Sequence, residues 1–316
     1  MNQRVVTIIV NFNKPSDTID CVSSLWKSLL RPEYVIVVDN GSDPESYDEL
    51  RTGLSDYLSV SVRYPESSTF SSFADSGTVY LLRSHTNLGY AGGNNLALKW
   101  ALEHLHFDCV WMLNNDCLVD QNALAALLDK AGSPETGAVG SKLLFFKEPK
   151  RLQAAGGGVI FPLMGRAKLI GFGEIDEGQW DRELKLDFIM GASLMVTRAT
   201  VERVGLMSED YFLYWEESDW CLRMKRAQMR LRYAWESRVY HKVDPLTPPS
   251  TVSDFYISRN TPIFLFRHFP RFFLAGTFIS CVSRIAKRAA RGLWKNAVFT
   301  MKGYREGIKM LRAVNR

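Results

Sequence analysis

Cysteine is scarce: five among 316 residues, Cys21, Cys109, Cys117, Cys221 and Cys281. The number is odd, the positions are scattered and no C-x-x-C occurs. This excludes a disulfide framework and a thiolate zinc site, and points to a reducing compartment. No uninterrupted apolar run reaches the roughly 18 residues of a spanning helix. The nearest approach, Pro262–Val282, is broken by Arg267, His268, Pro270 and Arg271. No secretory leader is expected, because Met1–Arg4 runs directly into the apolar Val5–Val10 without a cleavage site. Internal repeats are absent. Acidic residues nearly vanish at one end: residues 260–316 hold 12 Lys/Arg against the single Glu306.

What is present is the composition of a folded chain, 46% hydrophobic and 23% charged, which rules out disordered and collagen-like classes. The length fits two units, or one α/β domain with an appendage. The charge divides the same way. Residues 1–259 carry 27 basic and 33 acidic residues, so a mildly acidic body bears a tail of formal charge +11. Such a tail seeks a polyanion, either nucleic acid or an anionic membrane face.

Val5–Asn11 and Tyr34–Val38 are short apolar, β-branched runs, each read as a buried strand. Lys14-Pro15-Ser16-Asp17 starts a helix between them, making a βαβ unit with a parallel sheet. Thr78–Leu82 and Cys109–Leu113 are further strands, with Ser59–Arg63 as another candidate. Pro65–Gly77, rich in serine, reads as a surface loop. Asp120–Ala131 is a helix and Ala138–Gly140 a short strand. The pattern loosens from Lys142 to about Trp180. It returns with Phe188–Val196, Tyr211–Trp215, a helix Glu216–Gln228 and a strand Leu231–Trp235. A domain over residues 1–250 and a helical segment over 251–316 follow.

Polar residues gather at strand ends: Asn11 and Asn13, then Asp39, then Asn114-Asn115-Asp116. Open α/β sheets bind ligands along that edge. The alternative is that Asx residues only turn the chain. Asn87–Asn95, rich in Gly and Asn, lies between a strand and a helix and could let backbone approach a phosphate. It lacks G-x-G-x-x-G and does not follow the first strand, which disfavours a nicotinamide cofactor. Asp116 suits Mg²⁺ or Mn²⁺ arriving with phosphate oxygens. Glu216, Glu217 and Asp219 follow the aromatic run Phe212–Trp215. Acids are common in any first helical turn, but desolvation beside aromatics would make one a base. His241 is the candidate nitrogen ligand.

Ile8–Asn13, Val37–Ser42, Asn87–Asn95, Leu113–Asp116, Met190–Ser193 and Phe212–Arg223 together resemble the family-2 glycosyltransferases of the GT-A fold, notably rhamnosyltransferase-like bacterial members. The likeness covers residues 4–245. It implies a Rossmann-like, mostly parallel sheet flanked by helices, followed by the basic helical appendage. It implies an inverting enzyme using a dTDP- or UDP-sugar, with Mg²⁺ or Mn²⁺, on a glycan or lipid-linked acceptor. Phe12 and Asp39 would hold the nucleobase, with Asp39 accepting from a pyrimidine N3–H. Asn11, Asn87, Gly89, Asn95 and Asn115 would line the nucleotide sugar. Asp116 and His241 would bind metal. Glu217 would be the base, with Glu216 and Asp219 as alternatives. Gly191, Ala192 and Trp215 would face the acceptor. Asn114 replaces the first Asp of the usual D-x-D, and Glu217 replaces the usual Asp.

The appendage, with Phe264, Phe266, Phe269, Phe272, Phe273 and Leu274 among its basic residues, would bind an anionic membrane on the cytoplasmic side, and no nucleic acid is expected. A chain ending near Ser258 would then keep the nucleotide site. The rival readings are a non-catalytic polyanion or membrane-surface binding protein, and a sugar-nucleotide hydrolase or nucleotidyltransferase.

Overall fold

Apolar runs that are buried on both faces occupy the centre of the main sheet. The computed structural model describes residues 3–57, 62–63 and 78–314. In chain order these form β1 (Val5–Asn11), α1 (Pro15–Trp26), β2 (Tyr34–Asn40), α2 (Pro44–Tyr57), β3 (Val62–Arg63), β4 (Thr78–Ser84), α3 (Gly89–His104) and β5 (Cys109–Leu113). Then come β6 (Cys117–Val119), α4 (Ala123–Ala131), β7 (Thr136–Phe145), β8 (Glu148–Ala155), β9 (Gly157–Phe161), β10 (Arg166–Leu169), β11 (Phe188–Ile189), β12 (Ser193–Thr197) and α5 (Arg198–Val204). The chain closes with α6 (Glu216–Arg226), β13 (Arg230–His241), α7 (Thr251–His268), α8 (Phe273–Ala290) and α9 (Trp294–Val314).

The ten-stranded sheet runs β3-β4-β2-β1-β5-β12-β7-β13-β6, with β8 paired to β7. The first five strands are mutually parallel. Beyond β5 the directions mix, because β12 pairs antiparallel with both β5 and β7. Val6, Ile8, Ile36 and Val38 face one hydrophobic core, and Ile9, Val35 and Val37 the other. Burial on both faces explains their continuous apolar pattern.

The stretch from Lys142 to Trp180 is not loose. It holds β8, β9 and β10, and β9 pairs antiparallel with β10 and β11 in a separate three-stranded sheet. The expected Pro65–Gly77 loop, and the Ser59–Arg63 strand apart from its last two residues, lie outside the described residues.

Residue 250 is not a packing boundary. Ile263 and Phe264 of α7 are buried in the same core as β1 and β2. Phe264 packs on Trp215 with ring centroids 4.3 Å apart, and His268 Nε2 lies 2.7 Å from Asp219 Oδ1. Ending the chain near Ser258 would remove these contacts with Trp215 and Asp219. Among the described residues no helix is long and apolar enough to cross a membrane.

Candidate active site

The C-terminal ends of β1, β2 and β5 open onto a cavity of about 250 Å³. Phe12, Asn40, Asn87, Tyr90, Asn115 and Asp116 are among its lining residues. Grooves flanking α8 are larger, at about 510 and 690 Å³, but the cavity at the strand ends is the one that gathers the sheet-edge amides and Asp116. Parallel strands place their terminal side chains at one edge, which is why residues far apart in sequence meet there.

Asp39 is fully buried at the end of β2. Asn11 Nδ2 donates to its Oδ1 at 3.1 Å, and Thr18 Oγ1 donates to Asn11 Oδ1 at 2.8 Å. Asn11 therefore orients Asp39 instead of lining the cavity. Asp39 Oδ2 has no hydrogen-bond partner among the described residues, and Arg83 Nε stands 3.6 Å away. A buried carboxylate oxygen without a donor is costly, and it suits a ligand N–H. Phe12, 45% exposed, supplies an open apolar face on the same cavity.

The Gly/Asn turn packs against protein. Gly89 has φ of +73°, and a Cβ there would stand 2.1 Å from the Phe212 carbonyl oxygen. Asn40 ties the turn down by donating to Gly89 O at 3.0 Å and accepting from Leu88 N. Asn95 is not available for a nucleotide. Its Nδ2 donates to Met207 O and Glu209 Oε1, its Oδ1 accepts from Met207 N, and it is buried.

Asp116 Oδ1 and His241 Nε2 lie 2.9 Å apart. Gln153 presents its carbonyl oxygen to His241 Nδ1 at 2.8 Å, so Nδ1 is the donor. In neutral histidine that leaves the Nε2 lone pair facing a carboxylate oxygen. Two acceptors at this distance need a proton or a cation between them. Ligands 90° apart on an octahedral ion, each about 2.1 Å away, are themselves about 3.0 Å apart. The pair therefore fits a divalent ion, with Gln153 fixing the imidazole from behind. With a proton in that place, burial still opposes ionisation of Asp116, but the hydrogen bond and charge of the protonated imidazole outweigh it and hold the carboxyl below its usual range. Cys117 lies in the same cluster, where burial, then the Asp116 charge, pushes its thiol far up.

The acids of α6 diverge. Phe212, Tyr214 and Trp215 all have positive φ, at 62°, 69° and 78°. Such conformations in non-glycine residues cost on the order of 1 kcal/mol or more each and need outside support. Asn260 of α7 provides it: its Nδ2 lies 2.8 Å from each of the Tyr211, Leu213 and Tyr214 carbonyl oxygens. Arg259 donates to the Asp210 and Tyr211 carbonyls. The turn sets Glu216 and Glu217 at the start of α6. Burial pushes the Glu217 carboxyl up to about 7, against the backbone N–H groups of Glu217 and Ser218. Burial, then the Glu217 charge, drives Glu216 well above its ordinary value. Glu217 Oε2 is buried and has no hydrogen-bond partner among the described residues.

Asp219 is excluded as the base. It accepts from Tyr211 Oη, Arg223 Nε and His268 Nε2. Burial would raise its carboxyl, but the His268 hydrogen bond and the Arg223 charge hold it below the usual range. Trp215, expected beside the acceptor, is buried on Phe264. Gly191 and Ala192 are buried, and their carbonyls accept from Tyr90 Oη at 2.6 Å and Asn114 N at 3.0 Å. Tyr90 belongs to the Gly/Asn-rich turn Asn87–Asn95, and composition alone gives it no role. It lines the cavity, and its hydroxyl is pushed well above its ordinary value by burial, then by the Glu217 and Glu216 charges.

Residues 6–178 match the family model described as glycosyl transferase family 2. The chain belongs to that family. Among curated proteins, this family-2 chain is 22% identical over 230 residues to the low-salt glycan biosynthesis hexosyltransferase Agl10 of Haloferax volcanii. That match covers 71% of this chain, and the chain spans 62% of the relative's length. The mannosyltransferase PcManGT of Pyrobaculum calidifontis, solved with GDP-Man and Mn²⁺, superposes with a TM-score of 0.58 at 13% identity, covering 98% of this chain and 88% of that one. GalNAc-T7, solved with UDP, GalNAc and Mn²⁺, gives 0.63 at 14% identity, covering 98% and 57%. The fold of this family-2 chain is GT-A, a mixed α/β sheet flanked by helices with a helical C-terminal part.

Proposed function

We propose that the chain is an inverting transferase that moves a sugar from a UDP- or dTDP-linked donor to a hydroxyl of a glycan or lipid-linked glycan, in cell-surface polysaccharide synthesis. The observation that carries this reading is one sheet-edge cavity lined by Asp116 and Tyr90, with the end of β2 and the residues that interact with these two beside it. Asp39 offers a donorless oxygen at the nucleobase end. Asp116 and His241 form a cation-competent pair. Glu217, near enough to Tyr90 for its charge to raise that hydroxyl, has a carboxyl pushed up to about 7.

Asp39 Oδ2 accepts the pyrimidine N3–H, and Phe12 covers the base. Asp116 and His241 hold Mn²⁺ or Mg²⁺, the imidazole nitrogen favouring Mn²⁺. The ion, when bound, neutralises charge developing on the leaving diphosphate. Glu217 takes the proton from the acceptor hydroxyl, whose oxygen attacks the anomeric carbon from the face opposite the diphosphate. Tyr90, tied to Gly191, borders that space. Rhamnose is a candidate sugar on the subgroup resemblance, and a hexose on the likeness to Agl10. The basic tail supports a location on the cytoplasmic, anionic face of a membrane.

A thermal-shift screen of UDP-, dTDP- and GDP-sugars with Mn²⁺ or Mg²⁺ tests the donor. Stabilisation by pyrimidine donors is expected, and stabilisation by GDP-sugars alone would overturn the Asp39 role. Donor consumption should need a glycan acceptor, whereas equal consumption without one would mark a hydrolase.

A further inference from the structure

We infer that the groove between the β9–β10 turn and α8 is a binding site for the phosphate headgroup of an anionic lipid, distinct from the sugar-nucleotide cavity. This deepens the membrane reading above and rests on it.

The groove has a volume of about 690 Å³ and is lined by Arg166, Lys168, Arg284, Lys287 and Arg288, with Ser280 and Ser283 beside them. Arg288 is neutralised, because it makes a bidentate pair with the buried Asp254 of α7. Arg166, Lys168, Arg284 and Lys287 have no carboxylate within 4.0 Å among the described residues. Four unpaired cations around one hollow repel one another, and a phosphate relieves that repulsion while accepting several N–H bonds.

The groove is built by rigid parts. The β9–β10 turn is seated on α8 by two facing glycines: a Cβ on Gly165 would stand 2.6 Å from Gly276 O, and one on Gly276 would stand 2.3 Å from Pro162 O. Ser280 Oγ donates to Gly165 O at 2.9 Å and locks the contact.

The other face of α8 says what carries the phosphate. Leu274, Phe278 and Val282 recur at helical spacing and are 77%, 70% and 51% exposed. Trp294, Val298 and Met301 continue an exposed apolar stripe on α9. The same segment also carries Arg271, Arg291, Lys295 and Lys302, and Glu306 is the only acid from residue 260 onward. Charge from residue 260 onward is almost wholly positive, so the occupant that complements both the apolar stripe and its cations is an anionic lipid leaflet. Acyl chains meet the α8–α9 stripe, and a headgroup phosphate reaches the groove beside α8.

The triple variant Arg166→Gln, Lys168→Gln, Lys287→Gln tests this with the full chain. All three side chains are exposed, so folding and sugar-nucleotide affinity should be unchanged. Vesicles containing phosphatidic acid, whose phosphate is terminal, should bind the wild type more tightly than phosphatidylglycerol vesicles of equal charge. The variant should lose affinity on both vesicles through its missing charge, but roughly tenfold or more beyond that on phosphatidic acid. Equal losses on both would reduce the groove to general charge and overturn the site. Soluble dihexanoyl phosphatidic acid should compete for the wild type at lower concentration than inorganic phosphate. If inorganic phosphate competes equally, the groove is a free-anion site and the lipid assignment fails. If the wild type ignores all anionic vesicles, the membrane reading itself fails, whatever the soluble phosphatidate does.

Discussion

At residue scale, Glu217 and Asp219 stand two positions apart at one helix start, yet their surroundings drive them in opposite directions. Asp219 is surrounded by donors and held ionised, while Glu217 is desolvated with an unpartnered oxygen. Glu217→Gln should therefore lower kcat by about 10²–10⁴ with donor affinity little changed. A raised carboxyl pKa leaves the base protonated at low pH, so kcat/KM should climb as pH rises through about 7. A flat profile between pH 5 and 8 would remove Glu217 from the role. Asp219→Ala should act on stability instead. It leaves the buried His268 Nε2 without its partner and removes the carboxylate from Arg223, which keeps the Val204 and Leu206 carbonyls, at a cost of about 1–3 kcal/mol, measurable as a lower urea midpoint. Asp116→Ala should abolish transfer and the metal-dependent part of nucleotide binding, and full activity in EDTA would refute the metal role.

At the scale of elements, α7 works as a clamp on the turn before α6. Asn260→Ala removes the donor from three carbonyls and should cost about 1–3 kcal/mol of stability. It should also lower kcat more than it changes the donor Kd, because it frees the backbone that aims Glu217. Unchanged kcat in a folded sample would separate α7 from the chemistry. This clamp was not legible in the sequence. Asn260 lies 49 residues from Tyr211, Gln153 lies 88 from His241 and Tyr90 lies 101 from Gly191, and no local pattern joins such partners. The strands β1, β2 and β5 were legible because burial on both faces leaves continuous apolar runs. β8, β9 and β10 were not, since Gly156-Gly157-Gly158 interrupts them and their exposed residues dilute the pattern. The helix α2 was missed because its 14 residues carry few apolar side chains beyond the buried Leu50 and Leu54. Asp39, Asp116 and His241 stood out as residue types, but the orphan oxygen and the Gln153 support needed three dimensions.

At the scale of the whole molecule, the acidic body and basic tail should make vesicle binding depend on salt. Raising ionic strength shrinks the Debye length from about 8 Å at physiological salt to about 3 Å at 1 M. Full-length protein should pellet with anionic vesicles at low salt, detach substantially at 1 M, and prefer anionic over neutral vesicles throughout. Equal pelleting on neutral vesicles would leave only the apolar stripe as the contact.

The position of Asn260 also bears on how such enzymes can diversify. A tail that only anchored the protein could be exchanged between relatives like a luggage strap. Here the helix leading into that tail carries an amide matched to the backbone of one particular turn. A chimera that joins this body to a foreign tail before residue 251 inherits a catalytic turn without its brace. Exchange should succeed only when the crossover falls beyond His268, so that α7 travels with the body it holds.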